Sequence, residues 1–523
     1  MIVYSNRSAK AQTLELLKQI SNLRDSTDRL IAFGEWEAGV TDALCQEQDT
    51  LTPLIRQMRR LSLERGEGDY STLKSSALPA EIEVRVPEGY AYYGVYPEQY
   101  AEAARQFCAA GPVARCWVVG IRSIGTSLSG IVAAEVQRTG AFVQSFTVRP
   151  HGHPFDRFIA LSPELEQALK EDQAAWFAIV DEGPGLSGSS LTSVAKKLSE
   201  LGIPDKRIVL FPSWAADASS FKSDAARQRW SRNRKFVTSF RSEWVVPDGA
   251  VDVSGGAWRS VVYESGADLP AVQPQHEKRK YLSEGNLWKF AGLGRYGQAK
   301  LERAKALSEA GFIPPVLGSE RGFLITEFVA GAPLRPGETG EGFLKRIASY
   351  LVFLKTRFPV PGRVPYASLV EMIKANTGQE CPAQDPVIEA GELVAVDGRM
   401  LPHEWIQTAH GLMKTDALDH CDDHFFPGCQ DIAWDIAGVC IEFRWSQHES
   451  EQLIKTYLTL QPDGTLRRRL AFYRLAYVAY RFGYATMAAD SLGDTEDGRR
   501  FAKLANYYAG VLSAAESPAS SNT

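Results

Sequence analysis

Between residues 85 and 214 short apolar runs alternate with segments of helical period, and that alternation restricts the fold more than any other feature. CWVVGI at 116–121, AFVQSFTVR at 141–149, WFAIV at 176–180 and RIVLF at 207–211 have the length and apolar character of strands. PEQYAEAARQFCAAG, SLSGIVAAEVQRTG, a segment near 162–171 and the run carrying Leu191, Val194, Leu198 and Leu201 have helical spacing. A strand joined to the next by a helical crossover pairs with it in parallel. The expected class for this region is α/β with a mainly parallel sheet.

Three connections in this alternation carry chemistry. FAIVDEGPGLSGSSL, 177–191, runs from a strand into Asp181 and Glu182, then through Gly183, Pro184, Gly185, Ser187, Gly188, Ser189 and Ser190 into a helix stopped by Gly202 and Pro204. Glycines and hydroxyls before a helix start leave backbone N–H groups open to an anion, and the helix dipole favours a phosphate. The carboxylates would repel that phosphate, but they accept hydrogen bonds from vicinal hydroxyls, so a sugar phosphate suits the whole stretch. VVGIRSIGTSLS makes a second such turn with Gly120, Arg122, Ser123, Gly125 and Thr126. Between them TVRPHGHPFDR crowds Arg149, His151, His153 and Arg157 into a Pro/Gly-rich loop.

The 177–191 stretch resembles the phosphoribosyl-diphosphate (PRPP) motif of type I phosphoribosyltransferases: two hydrophobic residues, two acidic residues, then a Thr/Ser-Gly-rich loop. The resemblance implies that Asp181 and Glu182 bind the ribose hydroxyls and that residues 183–190 wrap the 5-phosphate. It also implies a diphosphate loop at 122–126, with Arg122 stabilising the leaving group, and a mobile hood at 149–157. Ser187-Gly188 lies one residue further from the acidic pair than the family pattern has it. The implied chemistry breaks the C1–O bond to diphosphate while an acceptor, usually a ring nitrogen, closes on C1, with Mg2+ and arginines neutralising the diphosphate. No nucleophilic Ser/His/Asp set is needed for it.

Upstream, residues 1–74 read as a helical N-terminal region, with Glu35 and Glu37 flanking Trp36 on what the spacing suggests is a solvated helix face. Downstream, residues 250–515 form a second unit. YLSEGNLWKFAGLGRYGQAKLERAKALSEAG reads as a strand carrying Lys289, a Gly-rich turn and a helix with Glu302. MKTDALDHCDDHFFPGCQDIAWDIAG packs six aspartates into a short span. This half resembles aminoglycoside-phosphotransferase and protein-kinase-like folds, in which a strand lysine pairs with a helix glutamate and holds nucleotide phosphates. The resemblance implies an ATP site with Lys289 and Glu302, Asp416 as the catalytic aspartate, Asp423 or Asp431 as the metal ligand, and Asp435 as the structural aspartate. Gly292, Gly294 and Gly297 follow the lysine, whereas the family's phosphate-covering glycines precede it, and no asparagine stands where the family's metal-binding one is expected. His420, Cys421, His424 and Cys429 are an alternative zinc set, though adjacent His-Cys chelates poorly. Residues 516–523 read as a disordered tail.

The fold expected overall is thus a type I phosphoribosyltransferase-like parallel-sheet domain (85–240) with N-terminal helices, followed by a kinase-like α+β two-lobed domain. The function expected is transfer from PRPP or a related ribosyl phosphate to a nucleobase-like small-molecule acceptor, coupled to an ATP- and Mg2+-dependent phosphotransferase. The alternative is a PRPP- or nucleotide-sensing regulator with degenerate domains. A net charge of −5 argues against a nucleic-acid surface, and no apolar run is long enough for a membrane span. Seven cysteines without framework spacing read as reduced thiols of a cytoplasmic protein, and a homodimer is implied by resemblance alone.

Overall fold

A computed structural model of the chain describes residues 8–153, 156–184, 187–221, 223–264, 268–409, 411–418, 420–423 and 425–516. The chain divides into two bodies, the first comprising residues 6–245 with 292–298, the second 246–291 and the chain from 299 onward.

The first body opens with a strand rather than the helix expected from residue 8. β1 (Ser8–Gln12) pairs antiparallel with β2 (Glu81–Arg85), and α1 (Thr13–Ser21), α2 (Ser26–Leu44) and α3 (Pro53–Leu63) lie between them in sequence. Asp25 caps α2 by accepting from the Thr27 and Asp28 amides. Helix α2 is buried continuously from Leu30 to Thr41, so Glu35 and Glu37 lie inside the body and not on a solvated face. Glu37 ion-pairs with Arg59 of α3 at 3.1 Å. Arg59 also donates to the Thr126 carbonyl at 2.9 Å and to Ser129 Oγ at 2.8 Å. The helical segment thereby belongs to the same body as the parallel sheet.

That sheet contains β3 (Arg115–Ile121), β4 (Phe142–Val148), β7 (Trp176–Val180), β8 (Ile208–Phe211) and β9 (Arg234–Lys235), in the order β4-β3-β7-β8-β9. All four pairings are parallel. The helices that follow α3 are α4 (Pro97–Ala109), α5 (Ile124–Gln137), α6 (Pro163–Glu171), α7 (Ser189–Glu200) and α8 (Asp224–Arg232). Strands β3, β7 and β8 are almost entirely buried, as their unbroken apolar runs demand of strands covered on both faces. Gly34 lets α2 approach α5: a Cβ there would lie 2.7 Å from Ser127 Cβ. The hood segment is a short antiparallel pair, β5 (His151–His153) with β6 (Asp156–Phe158).

The second body contains an antiparallel sheet in the order β10-β11-β12-β14-β13, built from β10 (Val251–Asp252), β11 (Lys280–Ser283), β12 (Asn286–Phe290), β13 (Val316–Glu320) and β14 (Phe323–Glu327). Two of its hairpins close through two-residue loops with both residues left-handed: Glu284 and Gly285 at φ 50° and 77°, Arg321 and Gly322 at 45° and 89°. Those are the twist-matched turns that short hairpins prefer. Helix α9 (Arg295–Glu309) lies between β12 and β13 in the chain. A three-stranded sheet follows, β15 (Ala332–Pro333), β16 (Trp405–Thr408) and β17 (Gly411–Lys414). Helices α10 (Glu341–Arg357), α11 (Tyr366–Thr377), α12 (Ala433–Glu442), α13 (Gln447–Leu460), α14 (Leu466–Leu492) and α15 (Glu496–Glu516) make up most of the rest. Their aromatic residues Tyr350, Trp434, Tyr473 and Tyr477 share one core with Trp405 of β16. No helix among the described residues is long and apolar enough to cross a membrane.

Candidate active site

In the second body the carboxylates converge where the β16–β17 hairpin returns the chain on itself. The hairpin register sets Trp405 opposite Lys414, so Glu404 just before it and Asp416 just after it come side by side. The Thr415 amide donating to the Glu404 carbonyl at 2.8 Å fixes this approach. Asp397 joins them from the preceding loop. Its amide and that of Gly398 donate to Asp435 of α12 at 2.7 and 2.8 Å, while the Trp434 indole donates to the Gly398 carbonyl at 3.1 Å. The acceptor atoms of Asp397, Glu404 and His420 lie within 4.8 Å of one another.

Cations face this cluster. Lys289 on β12 donates to Asp416 Oδ1 at 2.6 Å. Lys414 at the end of β17 donates to Glu404 Oε2 at 2.7 Å, lies 3.2 Å from Asp397 Oδ2, and donates to the Asp416 carbonyl. His420 Nε2 is 3.7 Å from Asp416 Oδ1, and its Nδ1 is 3.5 Å from Asp397 Oδ1. Tyr350 donates to Asp397 Oδ2 at 2.7 Å. Burial alone would raise the Asp397 carboxyl, but Lys414 and His420 hold it below its ordinary value. Burial would likewise lower His420, but Asp416 and Glu404 raise it, which favours the imidazolium.

Glu404, Asp416, His420 and Lys289 line a cavity of about 960 Å³. Elsewhere its wall carries Arg335, Arg399, Arg444, Arg481 and Arg500, with Trp258, Tyr263 and Tyr484 among the aromatic residues. Its described wall carries nine lysines and arginines against seven carboxylates, a small cationic excess, and it is wide enough for a drug-sized or nucleotide-sized ligand.

The second body thus gathers a different set from the one expected. Asp423 ion-pairs with Arg399 at 3.1 Å on the cavity wall, whereas Asp431 is held by Arg469 at 3.0 Å and accepts from the Ala433 amide at 2.9 Å. The carboxylates that converge are instead Asp397, Glu404 and Asp416. Lys289 meets Asp416, while the Glu302 side chain is largely exposed and lies 3.9 Å from Lys305. Of the alternative zinc set, His420 belongs to the carboxylate cluster, Cys421 is buried, Cys429 is half-buried, and His424 lies outside the described residues.

In the first body the chain leaves β3 towards β4 on one side and places β7 on the other, so the sheet order reverses between β3 and β7. A crevice at the carboxyl ends of such a pair is the usual ligand site of an open parallel sheet. Both Gly-rich connections start there. Gly125 lets them touch, since a Cβ at that position would lie 2.7 Å from the Val180 carbonyl. Ser123, at φ 149° and ψ −123°, is held in a conformation that costs a non-glycine residue about 1–3 kcal/mol, and such strain clusters at ligand sites. Thr126 is buried beside it.

Glu182 accepts from the Gly89 amide at 2.9 Å, and Tyr100 donates to the Asp181 carbonyl at 2.6 Å. Burial raises the Asp181 carboxyl to about 7, and burial together with Glu88 and Asp181 raises Glu182. Gly183 packs against the Trp214 ring, and Gly188, at φ 64°, against Phe221. Ser187 and Ser189 share a hydroxyl hydrogen bond of 2.8 Å, and Ser190 accepts from Ser193 Oγ at 2.9 Å through its carbonyl. Gly185 lies outside the described residues. In the hood pair His153 is exposed, and Arg157, half-buried, is drawn electrostatically to Asp181.

Arg122 does not have the open position that leaving-group stabilisation requires. Its side chain is fully buried and ion-paired to Asp42 at 2.7 Å and to Asp49. Arg149 is committed in the same way, to Asp42 and to the Arg122 carbonyl, the latter at 2.5 Å. Burial would raise Asp42, but Arg149 and Arg122 hold it below its ordinary value. Arg122 and Arg149 therefore fasten the N-terminal segment to the loops. Asp42 and Asp49 escape a reading of the sequence because their partners lie far along the chain, 73 residues away for the Asp49–Arg122 pair.

No family model matches the chain, and no curated protein matches it either. Solved structures do. A choline/ethanolamine kinase family protein from Mesorhizobium loti is 17% identical with a TM-score of 0.35, the match covering 46% of this chain and 86% of that one. Choline kinase LicA from Streptococcus pneumoniae is 13% identical with a TM-score of 0.32, covering 49% and 96%. The GDP complex of aminoglycoside 2′-phosphotransferase-IIIa is 12% identical with a TM-score of 0.31, covering 49% and 97%. At identities and scores this low, function has to be read from the residues of this chain.

Proposed function

We propose that the second body is a nucleotide-dependent phosphotransferase domain acting on a small molecule, and that the first body binds a sugar phosphate such as PRPP. The observation that carries the first part is the Lys289–Asp416 pair on the wall of a cationic cavity, beside a carboxylate loop anchored through Asp435. In kinase-like catalytic segments a base aspartate precedes a metal-binding asparagine by five residues, and a metal-binding aspartate follows further on. Glu404 before the hairpin and Asp416 after it correspond to the second and third of these. Lys289 and the cavity arginines would hold the phosphate chain of ATP. The acceptor hydroxyl attacks the terminal phosphorus, the bond to the ADP oxygen breaks, and the hydroxyl proton passes to an oxygen of the transferred phosphoryl group. Such transfer depends on positioning and charge stabilisation more than on covalent help from the protein.

The family resemblance implies Mg2+. The residues here do not fit such an ion: of the two that correspond to metal ligands, Glu404 holds the Lys414 ammonium at 2.7 Å and Asp416 the Lys289 ammonium at 2.6 Å, and Lys414 also stands between Glu404 and Asp397. No step above uses one.

For the first body, the strand-order reversal with two touching Gly-rich loops supports a sugar-phosphate site, with Asp181 and Glu182 towards the hydroxyls and the 187–190 turn towards the phosphate. Transfer to a nucleobase-like acceptor would need a cation other than Arg122 at the departing diphosphate, and Arg157 is the candidate. One observation favours a second reading, a ligand sensor without turnover. Arg399, paired to Asp423, stands five residues before Glu404, where a kinase-like segment carries its base.

The deciding experiment incubates the full chain with magnesium ATP and a panel of amino alcohols, sugars and nucleosides, and follows ADP. Acceptor-dependent ADP release that Lys289→Met abolishes supports the phosphotransferase. ATP binding by calorimetry without release for any acceptor supports the sensor, and no ATP binding removes the nucleotide site from both readings.

A further inference from the structure

Lys414 is the least expected member of the cluster. Its side chain is wholly buried, as is that of Asp397, and Glu404 is nearly so. Lys414 Nζ lies 2.7 Å from Glu404 Oε2 and 3.2 and 3.3 Å from the two oxygens of Asp397, and it also bonds the Asp416 carbonyl. Those are ammonium–carboxylate distances, whereas Mg2+ or Ca2+ takes its oxygens at about 2.0–2.6 Å. With the ligand atoms of Asp397, Glu404 and His420 all within 4.8 Å of one another, the enclosed space suits one cation. Charge balance leads to the same place. Lys414 and Lys289 already pair with the carboxylates of Asp397, Glu404 and Asp416, and His420 lies 3.5, 3.8 and 3.7 Å from those three. A divalent ion would have to displace an ammonium that is wholly buried.

We infer that Lys414 is the resident cation of this site, standing between Asp397 and Glu404 so that these carboxylates take up no divalent metal from solution. The inference deepens the phosphotransferase reading and takes its functional meaning from it, but it concerns the metal requirement alone. A nucleotide entering the cavity would meet protein cations at this end of its phosphate chain in place of an ion bridged by Asp397 and Glu404.

The test titrates the full chain with Mn2+ alone and follows free Mn2+ by electron paramagnetic resonance. Wild type and Glu404→Gln are expected to give the same curve. Lys414→Met, which keeps most of the side-chain volume and loses the charge, is expected to bind Mn2+ at least about ten-fold more tightly, and adding Glu404→Gln to it should remove the gain. Wild-type binding that weakens about ten-fold in Glu404→Gln overturns the inference, as does a folded Lys414→Met that gains nothing. Should Lys414→Met fail to fold by circular dichroism, the wild-type and Glu404→Gln curves decide alone. Because no nucleotide is present, absence of ADP release would count against the phosphotransferase and leave the cation assignment standing.

Discussion

Asp435→Ala is the perturbation that most directly probes how the catalytic loop is held. Asp435 is fully buried, and its two oxygens accept from the Asp397 and Gly398 amides at 2.7 and 2.8 Å. Alanine has no acceptor to offer, and the two N–H groups lose their partners inside the core. A buried donor left unsatisfied costs about 1–3 kcal/mol, so the pair should cost about 3 kcal/mol after partial relaxation. That is a large part of the roughly 5–15 kcal/mol by which a domain is stable. Urea unfolding gives the total, and hydrogen exchange of a peptide spanning 393–401 gives the local effect. We expect the second body to lose about 3 kcal/mol and the Asp397 and Gly398 amides to exchange quickly. A loss below about 1 kcal/mol with both amides still protected would falsify the anchoring role.

Lys289→Met should reduce ATP binding by about ten-fold or more, measured by calorimetry on the folded variant, since it removes one charge-assisted contact worth about 1.5–3 kcal/mol. Arg59→Met leaves Glu37 buried and unpaired, and should cost the first body about 3–5 kcal/mol in chemical denaturation. Asp181 supplies a pH dependence. Its ordinary value is 3.8 and burial raises it to about 7, so the folded state holds a proton that the unfolded state has already released across that interval. Stability from this group is lost as pH rises from near 4 to about 7, and Asp181→Asn should become increasingly stabilising relative to wild type over the same range in pH-dependent melting. A gap between the two proteins that stays constant with pH would remove that assignment.

The strands and helices of the first body were legible because a sheet covered on both faces needs unbroken apolar runs, and WFAIV and IVLF are such runs. The Gly-rich turns were legible as anion-friendly for a local reason: a glycine's freedom and a helix start are properties of adjacent residues. What the sequence misled on were side chains whose surroundings come from elsewhere in the chain. Glu35 and Glu37 have the spacing of a polar stripe, yet α2 is buried on every side through Thr41. Arg122 sits in a loop suited to an anion, yet Asp42 and Asp49 already neutralise it. In the second body the acidic span 416–435 drew attention to Asp423 and Asp431. Asp397 and Glu404 lie before the hairpin and outside that span.

The sequence by itself determined the local and periodic properties of this protein: alternating strands and helices, the positions of the turns, the strand lysine Lys289 and the carboxylate-rich connection near Asp416. These follow from backbone preference and from which face of an element is apolar, both settled within a few residues. Only the tertiary structure decided which charges meet. Lys414 could have faced water as readily as carboxylates until the β16–β17 hairpin folded back and set it against Glu404 and Asp397. Electrostatic partners are fixed by distance through space and by exclusion of water, and neither can be read from spacing along a chain.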